Sequence, residues 1–372
     1  MHVSYHIFKN HVKAQRSDSD EEALANLSPE LQRAAMRDLY SFVSMCHHPR
    51  RNTLFLGTTH RLGDILVAFD LQSRTFRSCG YQDSGLCAHG DVKIHKGLWL
   101  DEGQDALYFG LATLLPFTEQ LNNRGGGKLV RYDIASGGFT DLGTPVPGQY
   151  LQGTLYDGRR GMMYGFTNCG AFAAYDLRQR RTLRYSVMES CPHNGCLDPE
   201  GRPWGLCGVD SHRLFRYHPD RDVYEFPGTP LPNAMAAANI MYRGAGPVDG
   251  FIDGGDGNLY IGTALGELYR LDWRTGAWTY LGKPFPDRRL PGLALGGDGW
   301  LYLCGGSSHA SMLARYHLQR GTMEQFGAIE HPDGTFLHYV HEITVIDGVV
   351  YAVETDNPGR SGFLWVCDPR QA

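Results

Sequence analysis

Three of the sixteen histidines stand in comparable sequence contexts: His95 in HGDVKIHKGL, His193 in CPHNG and His341 in HYVHEIT. Each precedes a short apolar run that ends in a turn, and Lys93, Tyr150 in GQYLQG and Glu342 occupy neighbouring or equivalent places. An imidazole titrates near neutrality. Together with a lysine that can neutralise an anion and a phenol that can donate a proton, these are the residue types of general acid–base chemistry. A lone histidine on an inner strand is ordinarily a core residue, so the argument for a site rests on the equivalence of the three positions. None has the spacing of a zincin helix or a zinc finger. His338 and His341 lie beside Glu342, but on a regular strand they point to opposite faces. If a metal is present, a divalent cation (Ca or Mg) shared by His193 and His341 is the arrangement to expect; no cofactor is required by any motif.

Other catalytic signatures are missing from the sequence: it contains no GxSxG elbow, no phosphate-cradling loop and no dinucleotide fingerprint. The run Gly125 to Gly127 after Arg124 reads as a turn into the strand KLVRYD.

The elements that must position these residues are legible as a repeat. Seven times a tight turn leads into a strand centred on an aromatic: Phe55, Tyr108, Tyr164, Trp204, Tyr260, Tyr302 and Tyr351. A second run follows each centre (ILVAFD, KLVRYD, AFAAYD, RLFRYH, ELYRLD, MLARYH, FLWVCD), and after most of them comes a third, such as FTDLG or WTYLG. Ahead of each centre lies another apolar strand, often ending in an Asp or Gly turn such as WLDEGQD or IDGGDGN. Four strands per unit at this spacing predict an all-β, seven-bladed propeller of four-stranded antiparallel blades. The last unit has only three strands of its own. Residues 2–9 are therefore expected to supply its outer strand and close the ring, because an unpaired edge invites aggregation.

The whole chain, 1–372, reads as one domain, with blades over 41–368 and a helical insert over 18–40. In that insert Ser28 can cap a helix with Pro29 in its first turn, and Leu27, Leu31, Ala35 and Leu39 recur every four residues. A net charge of -5 without a basic run argues against nucleic acid. No apolar run has the length of a membrane span, and Met1 opens a polar segment rather than a signal peptide. Nine scattered cysteines without a CxxC read as reduced thiols, favouring the cytoplasm, with secretion as the alternative; a monomer is expected.

In this architecture the loops leading into the innermost strands and those joining second and third strands open on one face. The first set carries Lys93, His95, Tyr150, Gln152, His193, Asp249, His341 and Glu342. The second carries His60, Arg61, Asn168, His212, His309 and Arg360, along with the long insert LLPFTEQLNNRGGG.

The phrases KIHKGLWLDEGQDALYFG, GGGKLVRYD, GQYLQGTLYDGRRGMMYGFT, LFRYHPD and HEITVIDGVVYAVETDNPGRSGFLWV resemble the seven-bladed propeller polysaccharide lyases. The similarity is to rhamnosyl-glucuronate lyases and, more distantly, to ulvan lyases, and it runs from about Ser44 to Asp368. It implies β-elimination at O4 of a uronic acid, releasing a 4,5-unsaturated product from a uronic-acid-containing oligosaccharide. Under that resemblance His95, Tyr150, His193 and His341 are the catalytic candidates. Lys93, Gln152, Arg61, Asn168, Glu342 and Arg360 are the substrate-binding candidates. Two alternatives stand beside it. GGDGNLYIGT also resembles the repeats of streptogramin-type lyases, which implies a metal-assisted C–O elimination at His341 and Glu342; the other alternative is a non-catalytic propeller that binds a sugar or a protein.

Overall fold

In the computed structural model, the described residues are 1–8, 40–60, 64–88, 90–115, 126–189, 194–208, 212–237, 240, 246–307, 309–355 and 361–371. They form seven four-stranded antiparallel sheets, each a blade of a propeller. Blade one runs through Ser41–His48, Thr53–Thr59, Leu66–Asp70 and Thr75–Ser78. Blades two to six repeat that order along the chain. Blade seven takes Tyr339–Ile346, Val349–Thr355 and Gly362–Asp368 from the end of the chain and His2–Phe8 from its start. The terminal strand pairs from His2 opposite Asp368 to Phe8 opposite Gly362. This pairing covers the edge that blade seven would otherwise expose.

The repeated aromatic and the repeated Asp turn are parts of one device. In blade five Tyr260 Oη donates to Asp256 at 2.7 Å, and in blade six Tyr302 Oη donates to Asp298 at 3.1 Å. In blade four Trp204 Nε1 donates to Asp198 at 3.0 Å. The aspartate that shapes the turn thus satisfies the polar tip of the aromatic, which lets the ring lie buried between blades without an orphaned donor. Phe55, Tyr108, Tyr164, Trp204, Tyr260 and Tyr302 are all buried, whereas Tyr351 is half-buried. The apolar core is divided accordingly into clusters lying between neighbouring blades, such as the one joining Val3, Cys304, Ile343 and Trp365 across blades six and seven.

Helix is scarce among the described residues. One α-helical turn occurs at Ala234–Ala237, and short 3-10 turns at Pro49–Arg51 and Tyr81–Asp83. The helix expected over 18–40 lies outside the described residues, apart from Tyr40. That ring is fully buried, 5.1 Å from Phe8 and 5.8 Å from Phe42. No helix among the described residues is long and apolar enough to cross a membrane, and the eight described cysteines are free thiols.

Candidate functional site

Four innermost strands are not regular. Their register against the second strand shifts by one residue at the end where the chain enters the blade. The extra residues are Val43, Gln152, Asp249 and His341 in blades one, three, five and seven. A bulge re-aims a side chain and breaks the period-two alternation. Blade two reaches the same end differently: before its strand Leu98–Asp101 the backbone of Lys93 bridges to Thr59 and Ala112, and that of Lys96 bridges to Gly153. Between Lys96 and that strand Gly97 turns the chain with φ 101°, and a Cβ there would stand 2.3 Å from the Thr154 carbonyl oxygen, so only glycine fits.

These irregularities bring two histidines together. His95 Nε2 lies 3.0 Å from His341 Nε2, and both side chains are almost fully buried. His95 Nδ1 lies 2.9 Å from the Gln152 carbonyl oxygen. A carbonyl only accepts, so Nδ1 of His95 carries the proton, and neutral His95 presents a lone pair at Nε2. His341 Nε2–H is then the donor between the rings. The bulge of blade three therefore sets the tautomer of the blade-two histidine, which meets the bulge residue of blade seven.

Beneath the pair, Lys96 donates from Nζ to the His341 carbonyl oxygen. Lys96 and Glu342 line a central cavity of about 550 Å³, bounded by innermost-strand residues of the ring from Met45 in blade one to Ile343 in blade seven. Burial pushes the Glu342 carboxyl up to about 7, opposed by the Lys96 charge and the Met45 backbone N–H. Burial lowers the Lys96 ammonium, opposed by Glu342 and Asp249. One further carboxylate shapes this end: Asp249 is held by Arg289 through two bonds of 3.1 and 3.0 Å, and its carbonyl accepts from Asn194 Nδ2 at 2.6 Å.

Of the residues singled out by sequence, the structure thus joins His95, His341 and Gln152 directly and places Glu342 below them. Tyr150 is elsewhere. Its ring is fully buried, and a Cβ on Gly90 would stand 2.6 Å from its hydroxyl, so the phenol packs beneath the backbone of Gly90 and Gly126. Burial, reinforced by Asp91, holds that phenol well above its ordinary range, which leaves it a proton donor rather than a base. Asn168 is half-buried and its backbone N–H donates to the Tyr150 carbonyl at 3.1 Å. Lys93 is half-buried, at the seam of blades one and two. Arg61, His193 and Arg360 lie outside the described residues, and with His193 the proposed two-histidine metal site. Among the described residues no cluster of three or more His, Cys, Asp or Glu is placed to hold a metal. Strand parity placed His338 and His341 on one regular strand. His338 instead precedes the strand, and His341 is its bulge residue.

Sequence reasoning missed Lys96. It named Lys93 because that residue stands with His95 in the segment entering an innermost strand, whereas it is Lys96, nearer the strand Leu98–Asp101, that reaches the His341 carbonyl. The signal lay in Gly97, whose position directly after the lysine marks the break in alternation.

No family model matches the chain, and no curated protein matches it. Similar solved structures include that of a streptogramin B lyase, at 14% identity and a TM-score of 0.61, with 97% of each chain covered. They also include the extracellular domain of BT4673 from B. thetaiotaomicron, described both as a one component and as a hybrid two component system. Those two match at 14% identity and a TM-score of 0.58, over 88% and 91% of this chain. This chain spans 38% of the length of each of those two proteins. At this identity the likeness establishes the shared propeller fold.

Proposed function

We propose that the protein is a carbon–oxygen lyase that cleaves the glycosidic bond at O4 of a uronic acid by β-elimination. The observation that carries this reading is the Nε2 to Nε2 contact of His95 and His341, with its tautomer fixed by Gln152 and a lysine directly below. Elimination requires a base for the C5 proton, a donor to the departing O4 and positive charge near the C6 carboxylate. In this scheme His95 takes the C5 proton at Nε2, the C5–H pair becomes the C4–C5 double bond, and the C4–O4 bond breaks. His341, carrying a proton on both ring nitrogens in the reacting state, gives its Nε2 proton to O4 and is left a neutral imidazole. The two imidazoles then differ from their starting state only by one proton, which passes from His95 Nε2 back to His341 Nε2 across their contact. Lys96 supplies the positive charge at this end of the channel. The reading is tested by following the ultraviolet absorbance of the conjugated product over a panel of uronate-containing oligosaccharides. Absorbance growth that His95→Ala abolishes is expected; a folded protein inactive on every member overturns the reading.

A second reading is favoured by the end-to-end fold likeness to a streptogramin B lyase: a metal-assisted C–O elimination on a cyclic ester, using His341 and Glu342. Loss of activity with a chelator, restored by a divalent cation, on such an ester and not on uronates would select it.

A further inference from the structure

We propose that the outer strand of blade three, Arg181–Val187, is a docking edge that takes an extended acidic segment of a partner protein as a fifth strand. The proposal does not depend on the elimination reading, because this strand lies on the outer rim of its blade. It starts from a departure from the repeat. In blades two, five and six the outer strand carries one bulged residue, Leu142, Leu281 or Phe326, and each packs against an apolar cluster. A glycine of positive φ follows at once (Gly143 109°, Gly282 123°, Gly327 91°), and the strand stops there or one residue later. In blade three the bulged residue is Leu183. Its side chain is 44% exposed. Arg184 stands where the other blades have glycine, and the strand runs on through Tyr185 to Val187.

The continuation is an exposed apolar row, with Tyr185 46% and Val187 64% accessible. Together with Leu183, and with Val223 and Phe226 at the outer edge of blade four, they make five of the seven large apolar side chains exposed among the described residues. Such concentration on two neighbouring edges differs from the single scattered residues normal on a surface, and marks an interaction site. The strand itself is rich in Thr, Leu, Tyr and Val, and neither proline nor lysine guards it. Among the described residues no strand lies outside it, so its outward N–H and C=O groups can pair with an added strand.

The edge is also preformed. Tyr224 Oη of blade four donates to Ser186 Oγ at 2.9 Å, Arg184 meets Asp222 at 3.4 Å, and Gln149 Nε2 donates to Tyr185 Oη at 3.4 Å. Holding the strand in place before binding lowers the ordering cost of adding another. Charge selects the occupant. Arg178, Arg180, Arg181 and Arg184 fall within seven residues that hold no acid, in a chain of net charge -5. The first three are exposed, and Arg180 donates to the neutral Asp141 carbonyl at 2.6 Å. Opposite charges facing each other across a ladder stabilise it and like charges weaken it. A second copy would set this patch against itself, arginine against arginine. A polyanion without apolar side chains would leave Leu183, Tyr185 and Val187 in water. An extended peptide in which apolar residues alternate with Asp or Glu satisfies the backbone, the apolar row and the arginines together.

The test titrates the full chain calorimetrically with an end-capped peptide of alternating valine and glutamate, about nine residues long. Two controls accompany it: the same peptide with lysine for glutamate, and one N-methylated at alternate amides so that it cannot extend a ladder. The glutamate peptide is expected to bind and to slow amide hydrogen exchange within 181–187. Both controls should bind at least about tenfold more weakly. Arg181→Glu and Tyr185→Ser, at exposed positions, should each weaken the glutamate peptide by about fivefold without changing Tm. No binding at millimolar peptide, or equal binding of the N-methylated control, overturns the proposal. A polyuronate or DNA that binds this chain, weakened by Arg181→Glu and indifferent to Tyr185→Ser, assigns the edge to a polyanion and also overturns it. So does a dimer in sedimentation equilibrium that Tyr185→Ser dissolves, because the occupant is then a second copy.

Discussion

The Nε2 atoms of His95 and His341 stand 3.0 Å apart although the residues are 246 positions apart in sequence. Only one proton fits between them, and a second would place two like charges in contact. They therefore act as a unit. His95→Ala and His341→Ala should each lower kcat/KM by about 10²- to 10⁴-fold, the scale of losing a general acid or base. The double variant should cost little more than the worse single variant, because removing either partner already breaks the relay. Steady-state kinetics on the three variants checks this, and strictly multiplicative losses would mean that the two imidazoles work independently.

Lys96 and Glu342 share the cavity below the pair. Replacing Lys96 by Met leaves Glu342 in a buried site without the charge that opposes its neutralisation, so K96M should unfold at lower urea, by about 1–3 kcal/mol. Adding Glu342→Gln should recover most of that stability, because no uncompensated carboxyl then remains. Activity should not return with it. Urea titrations and rates on the single and double variants separate the two roles; a double variant less stable than K96M would show that Glu342 does not depend on Lys96.

Glu354 gives a pH signature in stability. Its carboxyl is raised from 4.5 to about 8 by burial, so the folded state holds a proton that the unfolded state releases. Below 4.5 both states are protonated and the native contribution is complete. Between 4.5 and 8 it is lost progressively, and stability falls as pH rises. Glu354→Gln imitates the protonated form and should melt roughly 5 °C above wild type at pH 8, with near-equal melting at pH 5. Glu342 retains a smaller slope of the same sign in that variant. Parallel melting curves at all pH values would contradict the assignment.

The fold was legible because it repeats. An aromatic such as Tyr260 four residues after Asp256 is both a strand centre and a turn partner; the aspartate pairing is made in blades four, five and six, while the strand-centre aromatic itself recurs in all seven. The site was legible only in part, because it depends on departures from the repeat. His95 was found by its type and its place before an innermost strand. That it meets His341 depends on an extra residue in blade seven, and that its tautomer is fixed depends on another extra residue in blade three. A bulge has no composition of its own, and neither has the turn at Gly97 that lets Lys96, rather than Lys93, reach the His341 carbonyl. Tyr150 was expected at the channel because it too precedes an innermost strand, but Gly90 and Gly126 leave the volume beneath them that its ring fills.

Ring closure makes the last prediction. His2–Phe8 supplies seven residues of backbone pairing to Gly362–Asp368, and Val3 is buried in the cluster that also holds Ile343, Trp365 and Cys367. Without that strand Gly362–Asp368 becomes a free edge, and the apolar cluster between blades six and seven opens to water. Deleting residues 1–8 should lower Tm by at least about 10 °C and produce higher oligomers in light scattering as exposed edges pair between molecules. A milder change separates packing from pairing. Val3→Asp keeps the backbone ladder but buries a carboxylate among apolar side chains, and should cost about 3 kcal/mol without oligomer formation. Because blade seven carries His341 on its innermost strand, loosening its outer strand should reduce activity less than stability. A deletion variant that melts like the full chain would mean that the ring holds without its terminal strand.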